Sequence, residues 1–141
     1  MKTTAIPTLQ LADFDGLLPS AQVPALVKAV QGHYVPYGAV RRGRVWRFSQ
    51  IRSPGELVLE HGSTVLPPKH AFQPTAETLL HFRAGEVTVP EDPSQPAALL
   101  GIHPCDLHAL QVLDAVYARP GLDPYYTRRR ADALLVVLTC A

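Results

Sequence analysis

Proline limits this chain more than any other residue. It occurs 14 times in 141 residues, and each copy removes a backbone N–H and fixes φ. Regular elements must therefore be short. Leu9–Phe14 alternates apolar and polar residues, as a first short strand would. Ser20 is placed to cap a helix carried by Val23, Leu26, Val27 and Val30, with Pro24 tolerable in the first turn and Gly32 as its stop. Tyr34–Val40 and Arg44–Ser49 flank Arg41-Arg42-Gly43 and read as a hairpin. Leu57–Glu60 adds another strand, Leu66-Pro67-Pro68-Lys69 is irregular, and Phe72–Phe82 is expected to run from a short helix into a strand. Val87–Gln95 reads as a loop rich in proline and acid.

Beyond that loop the pattern changes. Ala97–Ile102 is continuously apolar, as in a strand covered on both faces. Leu107, Leu110 and Leu113 give Asp106–Tyr117 a helical period. Pro120-Gly121 and Asp123-Pro124 break it, and Leu134–Leu138 is a second apolar run. Strand, helix and strand make a βαβ unit. The fold class predicted is α/β: a mixed sheet with an N-terminal β-hairpin region and a C-terminal βαβ unit. The length suits one domain over residues 1–141, irregular α+β to about residue 95 and βαβ from about 96 onward.

Composition narrows the partners. Hydrophobic residues make up 47% and charged residues 18%, which suits a globular chain. Lys and Arg number 13 against 12 Asp and Glu, a balance too even to steer nucleic acid or an anionic membrane. Arg128-Arg129-Arg130 reads as a solvated turn before the last strand. No apolar run reaches the roughly 18 residues that cross a bilayer, so no membrane insertion is expected. Met1-Lys2-Thr3-Thr4 is not followed by a secretory hydrophobic stretch. The expected location is cytoplasmic, where disulfides rarely persist.

The two cysteines, Cys105 and Cys140, each follow one of the two late apolar runs. Parallel neighbouring strands would bring both to the carboxyl edge of the sheet, where open α/β sheets bind ligands. In His103-Pro104-Cys105-Asp106 the proline suits a first helical turn, and a helix N-terminus lowers a thiol's pKa. These residue types suit a thiolate nucleophile or a metal ligand. They equally suit a small cysteine packed behind the sheet. A closed zinc or 4Fe–4S site takes four ligands, and this chain has no Cys-x-x-Cys. His103 and His108 are the nearest histidines, at a spacing uncommon among zinc ligands. His33, His61, His70 and His81 lie in segments with no matching partner and read as surface or interface positions. Glu91 and Asp92 read as solvated, and neither a phosphate-binding glycine fingerprint nor a Gly-x-Ser-x-Gly elbow is present. The residues form no self-contained catalytic set.

One stretch is more specific. Residues 99–117, Leu-Leu-Gly-Ile-His-Pro-Cys-Asp-Leu-His-Ala-Leu-Gln-Val-Leu-Asp-Ala-Val-Tyr, resemble the Gly-x-Arg-Pro-Cys-Asp-x-x-Ala-x-x-x-Leu-Asp segment of an iron–sulfur subunit family. That family holds the β subunit of soluble sulfhydrogenase and the A subunit of anaerobic sulfite reductase. Asp123-Pro124-Tyr125-Tyr126, Arg129-Arg130, Pro67-Pro68-Lys69 and Phe72-Gln73-Pro74 with Glu77 and Leu79 extend the resemblance, which runs from about Leu17 to the last residue. The resemblance implies an electron carrier between a flavin-containing subunit and a hydrogenase or sulfite-reductase subunit, a component of an oxidoreductase without its own catalysis. It implies that Cys105 and Cys140 ligate a 4Fe–4S cluster, with a downstream Cys-x-Cys supplying the other two thiolates. It places Lys69 and Glu77 in the structural core or in subunit contacts, with no chemistry of their own.

The chain departs from the pattern twice. His103 stands where arginine is usual, and Ala141 ends the sequence before the Cys-x-Cys and the ferredoxin-like domain. The cluster site is thus incomplete in this chain, which is expected to be a truncated N-terminal part of a longer iron–sulfur subunit. Two other readings stay open. In one, Cys105 and Cys140 cycle between dithiol and disulfide. In the other, the thiols are inert and the chain is a non-catalytic subunit-docking domain.

Overall fold

A computed structural model describes residues 18–90, 95–117 and 123–139. The expected strand at Leu9–Phe14, the acids Glu91 and Asp92, the break at Pro120-Gly121 and Cys140 all lie outside those residues.

Strand β1 (Val35–Arg42) and strand β2 (Val45–Gln50) form the hairpin, turning at Gly43, whose φ is +63°. Arg41 and Arg42 belong to the strand and not to the loop. A second hairpin, β3 (His81–Arg83) and β4 (Glu86–Thr88), stands apart with all its residues exposed. Strands β5 (Ala97–Ile102) and β6 (Leu134–Val137) complete one four-stranded mixed sheet in the order β2-β1-β5-β6. β1, β5 and β6 run parallel, so the βαβ unit and the early hairpin share a single sheet.

β5 is buried along its whole length because helices and loops cover both faces. Ala97 and Leu99 pack with Phe48, Phe72, Leu110 and Tyr126 on one face. Ala98 and Leu100 pack with Val27, Val30, Val40 and Ile51 on the other. Each buried leucine contributes roughly 1.5–3 kcal/mol. The second face is covered by helix α1 (Val23–Gln31), which Gly32 ends. Ser20 is not its cap: it opens a 3-10 turn over Ser20–Gln22, and Gln22 occupies the cap position. Pro24 falls in the first turn, where its missing N–H leaves no bond unmade.

The chain between β2 and β3 lacks two expected elements. Leu57–Glu60 is no strand; it touches the sheet through one bridge, Val40 to Leu57. Phe72–Phe82 contains no helix: a 3-10 turn at Pro68–Ala71 precedes it and only its end, in β3, is regular. The bridge is brief because residues 57–61 cross the sheet as a strap instead of running along it. Two glycines make room. A Cβ on Gly38 would lie 2.5 Å from Leu57 Cδ1, and one on Gly101 would lie 3.1 Å from Leu59 Cδ2. Glu56 anchors the strap's start, accepting from the backbone N–H of Arg52 at 2.9 Å and of Ser53 at 3.2 Å. Those bonds, with Arg42 beside it, hold its carboxyl below the usual range.

Helix α2 (Pro104–Tyr117) follows β5 after one residue, and helix α3 (Pro124–Ala131) precedes β6. α3 is where a break and a solvated turn were expected. Asp123 Oδ1 accepts from the N–H groups of Tyr125 (3.0 Å) and Tyr126 (2.9 Å), and Pro124 takes the first helical turn. The same Asp-Pro pair that breaks one helix thus starts the next. Two of its three arginines are structural. Arg130 donates to Asp114 Oδ2 on α2 at 3.0 Å and stacks over the Phe72 ring. Arg129 donates to Phe72 O at 3.2 Å and pairs with Glu77. Tyr125 adds a hydroxyl bond to Leu79 O at 2.7 Å, so α3 pins the irregular 72–79 segment.

Candidate metal centre

Gly101 sets the site. Its φ of +76° and the register shift between Leu100 and Ile102 make a bulge at the end of β5. Simple alternation would put Ile102 on the face of Ala98 and Leu100. The bulge moves it into the cluster of Leu99, Phe72 and Tyr126 instead. The chain then leaves the sheet at His103, whose carbonyl accepts from Leu107 N–H at 3.0 Å and so starts α2.

Cys105 is consequently the second residue of α2, exposed and free, and not the last residue of a strand. It lies at the carboxyl end of the parallel strands, as the sequence suggested. The reading as a packed, buried cysteine is excluded by its exposure. His103 and Asp106, both half-buried, stand beside it. A ring nitrogen of His103, Sγ of Cys105 and a carboxylate oxygen of Asp106 all lie within 4.8 Å of one another. None of these three side chains makes a hydrogen bond or ion pair among the described residues. His108, the other histidine considered for a metal, is exposed and outside this group. Leu138 N–H donates to Ile102 O at 2.8 Å, carrying the chain past this edge to Thr139, the residue before Cys140.

His61 is no isolated surface histidine. The strap carries it to the same edge, where its ring stacks on His103 with centroids 4.6 Å apart and planes within 11°. Its Nδ1 lies 2.8 Å from Gly62 O and its Nε2 lies 3.3 Å from Gly101 O. The ring is held by carbonyls and fixes the plane of His103. Asp106 was not singled out from the sequence, although in the run His-Pro-Cys-Asp the donors sit at positions i, i+2 and i+3. His61 had no local signal, because a glycine-dependent strap delivers it across 42 residues of sequence.

A separate cleft of about 260 Å³ opens at the other end of β5, lined by Tyr37, His70, Gln95, Arg128 and Asp132 among others. It contains none of the donors. No helix among the described residues is long and apolar enough to cross a membrane.

Comparison with known proteins bears on the same reading. Over 104 residues, 74% of its length, the chain is 38% identical to sulfhydrogenase 2 subunit beta of Pyrococcus furiosus. The chain is similar to a sulfhydrogenase β subunit. The match spans 31% of that relative, so this chain corresponds to about a third of its length. No family model matches the chain, and no solved structure matches it.

Proposed function

We propose that this chain is the N-terminal part of an electron-transfer subunit in a hydrogenase-type oxidoreductase. The observation that carries the reading is the 38% identity to the sulfhydrogenase β subunit. In this proposal Cys105 and Cys140 are two protein ligands of a 4Fe–4S cluster, and electrons pass between a flavin-containing subunit and a hydrogenase or sulfite-reductase subunit. The location is cytoplasmic.

The donor chemistry supports a metal-bearing role. Cys105 is an exposed thiol in the first turn of α2, open to a bound metal. A cluster of this type takes four ligands, usually all thiolates, although imidazole replaces thiolate in some iron–sulfur centres. Cys105 fits that need, and His103 is an imidazole within reach of the same place. The bound cluster would supply one-electron chemistry. The chain's own part is to hold the thiolate at a rigid strand-to-helix junction and to keep the edge accessible to a partner.

The test is anaerobic reconstitution with iron and sulfide, of the chain alone and of the chain extended by a Cys-x-Cys segment. The extended form is expected to gain a visible absorbance that dithionite bleaches and that Cys105→Ser or Cys140→Ser removes. Absence of any cysteine-dependent absorbance in the extended form would sink the cluster reading.

A further inference from the structure

The amino-terminal edge of the parallel strands, at the end of β5 opposite Cys105, gathers a second set of polar groups. Two adjoining hollows of about 260 and 270 Å³ lie there, sharing Tyr37, His70, Ala71 and Pro74 in their walls. Each is near the small end of the range for ligand pockets, roughly 300–1,000 Å³. The first is lined by Gln95 and by Arg128, Arg129 and Asp132 at the carboxyl end of α3. The second is lined by Phe48 and Leu66. The pair thus has a charged end and an apolar end.

Most of the charge on α3 is already used. Arg130 is bound to Asp114, and Arg129 to Glu77 and Phe72 O. Arg128 and Asp132 differ. Neither side chain has a hydrogen bond or ion pair among the described residues, with the other or with anything else. The Tyr37 hydroxyl, the His70 ring and the Gln95 amide are equally unpaired. Tyr37 is half-buried, and burial pushes its ionisation above the ordinary range, so the hydroxyl remains a donor. Half-buried polar groups that no protein atom satisfies are left for water or a ligand. Such groups converging on a cleft beside an apolar lobe are the usual make-up of a small-molecule site.

The charges select the ligand. One free guanidinium and one free carboxylate sum to zero, so a polyanion finds no cationic cluster here. A guanidinium pairs with a carboxylate through two parallel hydrogen bonds, and an aspartate accepts from an ammonium. We propose that this cleft binds a small zwitterion of the α-amino-acid class. Its carboxylate pairs with Arg128, its ammonium with Asp132, and its apolar side chain lies past Tyr37 towards Phe48 and Leu66. The site shares no residue with the proposed cluster and does not rest on that reading.

The test is titration of L-phenylalanine into the intact, isotope-labelled chain, followed by nuclear magnetic resonance. The Ala71 and Ala97 backbone N–H signals and the Gln95 side-chain amide are expected to shift in a saturable way. Those of His61 and Cys105, at the opposite edge, stay in place. Arg128→Gln and Asp132→Asn each weaken binding about tenfold or more, the loss of one hydrogen bond to a charged group. Hydrocinnamate, the same molecule without its ammonium, binds the unmutated chain about tenfold more weakly, and Asp132→Asn narrows that gap. Both residues are exposed and unpaired, so the variants should keep the parent's urea midpoint, and the shifts in the unmutated chain need no variant to fold. The proposal is overturned if no saturable shifts appear at the solubility limit of the amino acid, or if either variant binds as tightly as the parent. Hydrocinnamate binding as tightly as phenylalanine overturns it as well.

Discussion

Asp114→Ala is expected to lower the unfolding free energy by about 2–4 kcal/mol, measured as a shift in the urea midpoint at neutral pH. Asp114 bridges two largely buried partners. Its Oδ1 accepts from the Tyr126 hydroxyl at 2.6 Å and its Oδ2 from Arg130 Nη2 at 3.0 Å. Tyr126 is 1% exposed and the Arg130 side chain 14% exposed, so water cannot replace what the alanine removes. A fully buried pair would lose about 3–5 kcal/mol, and the partial exposure of Asp114 trims that figure. Asp114→Asn keeps an acceptor for the tyrosine and should lose less. An alanine variant as stable as the parent would mean that the α2–α3 clamp does not bind the helices together.

The same clamp has an alkaline signature. Burial first, and then the hydrogen bond and charge of Asp114, push ionisation of Tyr126 far above the ordinary tyrosine range. The folded state thus keeps a proton that the unfolded chain releases above pH about 10. The stabilisation is complete below that pH and is lost as pH rises above it. Tyr126→Phe should flatten the fall in urea midpoint between about pH 9 and 11.

These residues also mark how far the sequence could be read. Ala97–Ile102 and Leu134–Leu138 were recognisable because a strand covered on both faces must be apolar throughout. The hairpin was recognisable from Gly43 and its β-branched and aromatic flanks. Both signals are local. α3 was missed because its start, Asp123-Pro124, has the same residues as a helix stop, and only the hydrogen bonds to Tyr125 and Tyr126 N–H decide between them. Its Tyr-Tyr-Thr-Arg-Arg-Arg sequence carries little apolar periodicity, since one buried tyrosine and two paired arginines hold it in place. In the metal centre, Cys105 and the nearby His103 were readable from the sequence, and Asp106 was not. His61 was not, because its position depends on how closely a strap can approach two glycines in adjacent strands.

That dependence yields the second large effect. Gly101→Ala is expected to destabilise the chain by about 2–4 kcal/mol and to shift the ring resonances of the stacked His61 and His103 in the same variant. Two separate penalties meet at this position. An L-residue at φ +76° is strained, and its Cβ would press on Leu59 Cδ2 at 3.1 Å. Gly43→Ala separates them, because Gly43 has a φ of +63° but no atom within 4 Å of where a Cβ would lie. It should cost only the backbone term, about 1–2 kcal/mol, with those ring resonances unchanged. If the two variants prove equally unstable and leave both rings unmoved, the strap does not position His103. If only Gly101→Ala moves the rings, the bulge that redirects Ile102 and the strap that carries His61 are what hold this edge in place.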